Sequence, residues 1–202
     1  IMSTINGFID HNNTNKKYNE NMKAYFYGST SYVYLLEKNE LIIKKYNEKF
    51  RWTCENHDDS LNVYNKELNI LKNIGELIDY DIEKKILILK HKGESLYNKF
   101  NLPDDWKDQI VKIFKLFDEK CIYYPEFNLH NILVKNNNIN FVDFGLAEFN
   151  STKTNTVNCD NFIKILQLMQ NKFTDNMFLN HVLYKSLLFN LKKDKLYPNN
   201  IF

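Results

Sequence analysis

Residues 128–145 read NLHNILVKNNNINFVDFG, two short β-prone runs joined by the asparagine-rich turn KNNN. Because asparagine tolerates left-handed backbone, the pattern predicts a hairpin of the strands NILV and INFV. Asn131 and Asp143 lie twelve residues apart and flank this hairpin. A hairpin returns the chain beside its start, so both side chains can reach one point. Amide and carboxylate oxygens are hard ligands that suit Mg²⁺, which makes Asn131 and Asp143 candidate metal ligands.

The tripeptide DFG that closes this segment has a second interpretation. An Asp-X-Gly sequence also forms an ordinary turn after a strand, and such tripeptides arise by chance. If the segment is functional, we expect Gly145 to let the backbone turn sharply after Asp143. We also expect Phe144 to pack as an apolar peg. The choice between the two interpretations depends on the rest of the chain.

The first third of the chain has the pattern of strands with one helix. Residues 24–46 alternate, turn at Lys38-Asn39 and resume as a β-branched run, which predicts a meander. Residues 60–77 have apolar side chains near helical spacing, with Ser60 as a candidate N-cap and Gly75 near the C-terminus. Residues 79–93 then predict two more strands around Glu83-Lys84.

After Gly93 the pattern becomes mainly helical. Residues 103–121 begin with Pro103 and two acids, a favourable helix N-terminus. Their apolar face comprises Trp106, Ile110, Ile113, Phe114 and Phe117. From Cys159 onward we expect two or three helices rich in Leu, Phe and Met. A mostly antiparallel sheet with one helix, followed by a mostly helical half, predicts an α+β protein with two lobes.

Composition excludes several classes of protein. The 202 residues are 44% hydrophobic and carry a net charge of +2, which allows a substantial core and gives no reason to expect nucleic acid. Cys54, Cys121 and Cys159 share no metal or redox spacing, and an odd number suits a reducing compartment. No apolar run approaches the ~20 residues that span a bilayer. We therefore expect a cytoplasmic or intracellular protein, inside a host cell if the source is a parasite or virus, without a membrane partner.

Asn131 and the sequence DFGLA have the order and separation of two signatures of the protein kinase-like superfamily, and the chain resembles that family. The signatures are the catalytic loop Asp-x-x-x-x-Asn and the Asp-Phe-Gly motif. The brevity of the chain is similar to that of the smallest atypical, effector or viral kinases. The resemblance implies one bilobal kinase-like domain over residues 1–202. Its small antiparallel β N-lobe with one helix would span about 20–92, and its truncated, mainly helical C-lobe 93–202.

The resemblance also implies roles for upstream residues, which occur in the family's order. The sequence LIIKKY resembles the third-strand motif, making Lys44 the partner of the α- and β-phosphates. NKELNILKNI resembles the next helix, with Glu67 as the carboxylate that holds Lys44. YGSTSYVY occupies the place of the glycine loop, of which one glycine is present. LILKHKGESL resembles the hinge. The residues implied to bind ATP beside Lys44 are Gly28, Val33, the gatekeeper Leu89, and the backbone from Lys90 to Lys92.

Two further positions are assigned by the resemblance. Asp160 resembles the buried helix aspartate that holds the catalytic-loop backbone, although it is also placed as an ordinary helix N-cap. Glu126 stands where the family has its catalytic aspartate, after Tyr124 and Pro125 in place of His-Arg or His-Gly. Glutamate keeps the carboxylate but moves it by roughly 1.3–1.5 Å. Because phosphoryl transfer depends on positioning, such a displacement can cost about 10²-fold in rate.

Three functions remain open at this point. We favour an ATP-dependent protein Ser/Thr kinase that uses Mg²⁺, or Mn²⁺ in its place, because Lys44, Glu67, Asn131 and Asp143 are all present. The second is a small-molecule kinase, suggested by FNLHNIL, although such enzymes usually carry helical insertions for which there is no room. The third is a pseudokinase that binds nucleotide and a protein partner, for which Glu126 is the main argument.

Overall fold

The computed structural model describes residues 22–27, 30–46, 60–125, 127–172 and Lys185. These residues fall into two compact units, the first within Ile1–His91 and the second within Lys92–Phe202. The architecture is α+β with antiparallel sheets, as the sequence predicted. Gly28 and Glu126 lie outside the described residues. So does the chain after position 172 apart from Lys185, where further helices were predicted.

The first unit contains a five-stranded antiparallel sheet in the order β1-β2-β3-β5-β4. The predicted turn between β2 and β3 is confirmed as a single 3-10 turn, Glu37–Asn39. One face of the sheet carries an apolar cluster that includes Tyr34, Ile43 and Ile88. The strands are β1 (Met22–Tyr27), β2 (Ser31–Leu36), β3 (Leu41–Tyr46), β4 (Leu77–Asp81) and β5 (Ile86–Lys90).

The helix of the first unit, α1 (Ser60–Ile74), ends where the sequence predicted. Gly75 follows it with a left-handed φ of +73°, which glycine adopts without strain. The amide of Gly75 donates to the carbonyl of Lys72 at 3.3 Å, and that of Glu76 to the carbonyl of Leu71 at 2.9 Å. These two bonds satisfy carbonyls that the helix end leaves without intrahelical donors. Helix α1 contacts β3 and β4.

The second unit contains two helices and two small sheets. Helix α2 (Trp106–Glu119) begins three residues after Pro103, and Ile113 of its predicted apolar face is only partly buried. Helix α3 (Thr156–Gln170) begins three residues before Cys159, ahead of the predicted start. One sheet has the order β6-β8-β9, and the other pairs β10 with β7. The strands are β6 (Glu94–Ser95), β7 (Ile122–Tyr123), β8 (Ile132–Lys135), β9 (Asn138–Phe141) and β10 (Glu148–Phe149).

The core of the second unit is aromatic. Phe114 of α2 and Phe162 of α3 meet edge to face, with ring centroids 5.0 Å apart. Phe144, the predicted apolar peg, is 2% exposed, and its centroid lies 5.5 Å from that of Tyr124. Edge-to-face contacts of this kind add to the hydrophobic stabilisation of burial. The residue after Asp143 is therefore anchored in the core, as predicted.

Among the described residues, no helix has both the length and the apolar character needed to cross a bilayer.

Candidate functional site

The predicted hairpin brings the backbone of Asn131 beside the residue that precedes Asp143. Strands β8 and β9 pair from Ile132–Phe141 to Lys135–Asn138. The two residues of the turn, Asn136 and Asn137, have left-handed φ values of 50° and 59°. A tight turn with this geometry matches the twist of the strands. At the open end of the hairpin, the amide of Val142 donates to the carbonyl of Asn131 at 3.0 Å.

Asn131 is held by the short 3-10 turn that it closes, Leu129–Asn131. The side chain of Asn128 caps this turn by accepting the amide hydrogen of His130 at 3.0 Å. The amide of Asn131 donates to the carbonyl of Asn128 at 2.9 Å. The side chain of Asn131 is buried, with 6% of the residue exposed. Local hydrogen bonds therefore fix the backbone that carries this buried side chain.

Asp143 has a left-handed backbone, with φ of +62°. The sequence assigned the sharp turn to Gly145, but the strained position lies two residues earlier. Asp and Asn adopt this conformation more readily than other non-glycine residues. Strained backbone of this kind is concentrated at functional sites, where the surrounding structure maintains it. Here the buried ring of Phe144 and the end of β9 hold the half-buried Asp143 from both sides.

The donor set of this hairpin suits a magnesium ion that also binds phosphate. Asn131 and Asp143 offer an amide and a carboxylate oxygen. Mg²⁺ is usually held by one or two carboxylates together with waters and substrate phosphates, rather than by a full protein cage. Within the described residues, no three His, Cys, Asp or Glu side chains form a metal-binding group. Asn131 and Asp143 remain the candidate ligands.

Lys44 and Glu67 form a buried ion pair in the first unit. The Nζ atom of Lys44 on β3 lies 2.7 Å from Oε2 of Glu67 on α1. Lys44 is 6% exposed and Glu67 is 1% exposed. The sequence predicted this pairing, and the structure contains it. A buried pair needs good geometry and further hydrogen bonds, since the cost of removing two charges from water is large.

Sequence reasoning missed Tyr46, which supplies a further hydrogen bond to this pair. Its hydroxyl donates to Oε2 of Glu67, the oxygen that also contacts Lys44. The Nζ atom of Lys44 lies 5.2 Å from the centroid of the Tyr46 ring, within cation–π range. A signal was present in the sequence, because residues i and i+2 of a strand share one face. Tyr46 therefore points with Lys44 toward α1.

The residues implied to contact adenine share a sheet face with Lys44 where they are described. Val33 of β2 pairs directly with Lys44, and Leu89 of β5 pairs with Ile42, two positions along β3. Paired residues and residues two apart point to the same face, so Val33 and Leu89 lie on the Lys44 side. This is the face opposite the apolar cluster of Tyr34, Ile43 and Ile88.

The implied hinge residues have different environments. Lys90 is exposed, whereas Lys92 is partly buried. The carbonyl of Lys92 accepts a hydrogen bond from Nδ2 of Asn140 at 3.3 Å, within the second unit. Gly93 follows with φ of +109°, and a Cβ atom there would lie 2.1 Å from the carbonyl oxygen of Val134. Glycine is thus required where the chain passes β8.

Asp160 is exposed and lies inside α3, so both of its predicted roles are wrong. The residue that holds the backbone before Glu126 is Asn155, which is fully buried. Its Oδ1 accepts the amide hydrogen of Tyr124 at 2.9 Å. Its Nδ2 donates to the carbonyl of Ile122 and to Oδ1 of Asp118, both at 2.7 Å.

A second asparagine completes this attachment. Nδ2 of Asn158 donates to the carbonyl of Tyr124 at 3.0 Å, so α3 and the residue that precedes it bind both polar backbone groups of Tyr124. No local sequence pattern indicates these contacts, because they join residues 31 and 34 positions apart. The result is a fixed backbone two residues before Glu126.

Comparison of the sequence with models of known families and with curated proteins gives no match.

Proposed function

We propose that this protein is an ATP- and Mg²⁺-dependent phosphotransferase with a bilobal kinase-like fold. In this proposal it transfers the γ-phosphate of ATP to a Ser or Thr hydroxyl of a protein. The observation that carries the proposal is the buried ion pair of Lys44 and Glu67 between β3 and α1. The family resemblance implies a small antiparallel N-lobe with one helix, and the five-stranded sheet and single helix of the first unit are compatible with it.

The buried pair has a chemical use that favours this function over a purely structural role. Replacing a buried ion pair by apolar residues of similar volume is often neutral or stabilising, so such a pair is weak evidence for stability alone. A lysine with one fixed geometry can orient the α- and β-phosphates of ATP, and Glu67 provides that geometry for Lys44. Positioning and electrostatic stabilisation account for most of the catalysis of phosphoryl transfer.

Asn131 and Asp143 are the residues that would hold magnesium. When bound, the ion would neutralise charge on the phosphate oxygens. The 3-10 turn holds the backbone of Asn131, and Asp143 has a left-handed backbone, so the fold fixes the main chain that carries both ligands. Pre-oriented ligands reduce the reorganisation needed during the reaction.

Glu126 is the proposed base. The acceptor hydroxyl would transfer its proton to the Glu126 carboxylate as its oxygen bonds the γ-phosphorus, and the bond from that phosphorus to the bridging oxygen breaks, releasing ADP. Support for this role comes from the attachment of the preceding backbone, since Asn155 and Asn158 hold Tyr124. A fixed backbone before position 126 would limit the positions that the carboxylate can take, and phosphoryl transfer depends on positioning.

A protein acceptor is favoured over a small molecule by the second unit. Between Lys92 and Gln170 the described residues contain two α-helices and short strands. No inserted helices are present in that interval to build an acceptor pocket. The segment between Phe144 and α3 consists of eleven residues, and it includes β10 paired with β7.

The proposal is tested by measuring the unfolding temperature with and without ATP and Mg²⁺. Phosphate transfer to the protein itself and to casein is then followed with labelled ATP. Wild type should be stabilised by ATP only when Mg²⁺ is present, and should transfer label. Asp143→Asn should lose both effects, whereas the matched control Asp108→Asn, an exposed change on α2, should keep them.

Each other outcome has a definite meaning. If ATP with Mg²⁺ gives no stabilisation at any concentration up to several millimolar, the proposal is wrong. Stabilisation without transfer to any acceptor would identify a nucleotide-binding pseudokinase instead. Transfer to a small hydroxyl compound but not to protein would assign the small-molecule kinase function.

A further inference from the structure

The carboxylate of Glu67 receives two donors on a single oxygen. Oε2 accepts from the Lys44 ammonium at 2.7 Å and also from the Tyr46 hydroxyl. Both donors are on β3, two residues apart, and Glu67 is on α1. Tyr46 is 2% exposed and Glu67 is 1% exposed, so water has little access to this bond. Hydrogen bonds to an ionised acceptor are shorter and stronger than neutral ones.

We propose that Tyr46 is a positioning residue that holds Glu67 against β3 in the orientation that Lys44 requires. This inference rests on the proposed function, because the orientation of Lys44 matters only if Lys44 binds phosphate. The role differs from that of Lys44, because the Tyr46 hydroxyl is uncharged and does not compete for a phosphate group.

The need for a second donor follows from what ATP would do to the ion pair. Once phosphate oxygens approach Lys44, its ammonium is shared between them and Glu67, so its interaction with the carboxylate weakens. A buried carboxylate whose hydrogen bonds weaken carries a large desolvation cost. The hydroxyl of Tyr46 remains on Glu67 during this change and keeps α1 in place.

Tyr46 is itself fixed by two direct neighbours, Lys85 and Tyr64. Its amide donates to the carbonyl of Lys85 at 3.0 Å, just before β5. Its ring meets that of Tyr64 on α1 edge to face, with centroids 5.4 Å apart. The Tyr64 hydroxyl in turn donates to the carbonyl of Asp81 on β4 at 3.1 Å. Because the ring is fixed in this way, the Tyr46 hydroxyl loses little conformational entropy when it hydrogen-bonds the Glu67 carboxylate.

The first test needs no nucleotide. Tyr46→Phe keeps the ring and removes the hydroxyl, and a double-mutant cycle with Glu67→Gln isolates the contact. Tyr46→Phe should raise the unfolding equilibrium constant about tenfold in wild type, and less than about threefold in the Glu67→Gln background. Tyr80→Phe, a tyrosine on β4 whose ring contacts Lys72, is the matched control and should show no coupling to Glu67.

The second test measures how the hydroxyl affects turnover. Tyr46→Phe should lower kcat about tenfold while the KM for ATP changes less than about threefold, because misorientation of Lys44 acts mainly in the transition state. Tyr80→Phe should leave both constants unchanged.

Three outcomes would overturn the inference. If Tyr46→Phe and Glu67→Gln are additive, the hydroxyl does not hold Glu67. If they are coupled but kcat is unchanged in Tyr46→Phe, the contact is structural and does not position Lys44. If the two substitutions are coupled but wild type binds no ATP, the proposed function is wrong and the positioning role is wrong with it. Additive effects of the two substitutions would not by themselves contradict the proposed function.

Discussion

Oδ1 of Asn155 accepts the amide hydrogen of Tyr124 across 2.9 Å, so the residue that precedes α3 fixes the backbone leading to Glu126. The same side chain donates through Nδ2 to Ile122 and Asp118. One fully buried asparagine thus satisfies a donor and two acceptors on the segments around β7.

We expect Asn155→Ala to lower the free energy of unfolding by about 2–4 kcal/mol, because it removes the acceptor of a buried amide and the donor to a buried carbonyl. Denaturation by urea measures the change. Gln167→Ala, an exposed change on the same helix, should cost less than about 0.5 kcal/mol. Equal midpoints for the two variants would contradict the role assigned to Asn155.

Asp143 offers a separate test of charge and backbone conformation. Asp143→Asn keeps a residue type that tolerates the φ of +62° and removes the negative charge. We expect it to fold normally and to weaken binding of ATP with Mg²⁺ by roughly tenfold or more, as seen by titration calorimetry.

Asp143→Ala should weaken binding similarly and should also lose about 1 kcal/mol of stability, since alanine is strained in the left-handed region. Comparison of the two variants by urea denaturation separates the effects. Mg²⁺-dependent ATP binding by Asp143→Asn as tight as that of wild type would show that Asp143 is not a metal ligand.

Position 126 tests whether the proposed phosphotransferase uses a carboxylate base. Glu126→Gln preserves size and removes the base, so we expect ATP turnover to fall by about 10²–10⁴-fold. Glu126→Asp should retain turnover within about tenfold of wild type, because it keeps the carboxylate. Turnover by Glu126→Gln equal to that of wild type would exclude Glu126 as the base.

Tyr64 makes stability depend on pH in the alkaline range. Burial of its ring, with a contribution from Asp81, raises the pKa of its hydroxyl to about 12 from 10.0. The unfolded chain therefore loses this proton at lower pH than the folded protein. The stability contribution is complete below pH 10 and is lost as the pH rises from about 10 to 12, by roughly 2–3 kcal/mol in total.

Other groups also titrate in this pH range, so a control is needed. Tyr64→Phe provides it, because phenylalanine lacks the titrating hydroxyl. Urea denaturation of both proteins between pH 8.5 and 11.5 should give a steeper decline for wild type. Parallel declines would show that Tyr64 has an ordinary pKa in the folded protein.

Two glycines with positive φ are expected to respond differently to alanine. At Gly93 a Cβ atom would lie 2.1 Å from the carbonyl oxygen of Val134, so Gly93→Ala combines backbone strain with a steric overlap. We expect it to cost about 3 kcal/mol or more. Gly75 has nothing within 4 Å of the same position, so Gly75→Ala should cost only about 1–2 kcal/mol. Equal losses in thermal or urea denaturation would contradict the close approach at Gly93.

The sequence predicted those parts of the fold that depend on local chemistry. Asparagines predicted the turn at positions 136 and 137, and Gly75 predicted the end of α1, because left-handed backbone favours these residue types. Spacing of apolar residues predicted both α1 and α2. The pairing of Lys44 with Glu67 followed from family order rather than from any local pattern.

Features that join distant segments were missed. No sequence pattern distinguishes Asn155, because its partners lie around β7, whereas the family resemblance assigned the role to the charged Asp160. In the structure Asp160 is exposed, while uncharged amides from Asn155 and Asn158 hold the loop. A side-chain amide can donate to the carbonyls of Ile122 and Tyr124 and also accept from the backbone amide of Tyr124, whereas an ionised carboxylate only accepts. Composition and periodicity cannot indicate such matched donors and acceptors.

The two donors on Glu67 also bear on how this chain can evolve. Where a lysine alone balances a buried glutamate, selection for stability is enough to retain that lysine. Here Tyr46 would still hydrogen-bond Glu67 after a substitution at position 44. Drift could therefore remove Lys44 with less damage to folding. Removal of the ammonium would still leave a buried carboxylate with less compensation, so the cost to folding depends on how much of its stabilisation the Tyr46 hydroxyl supplies.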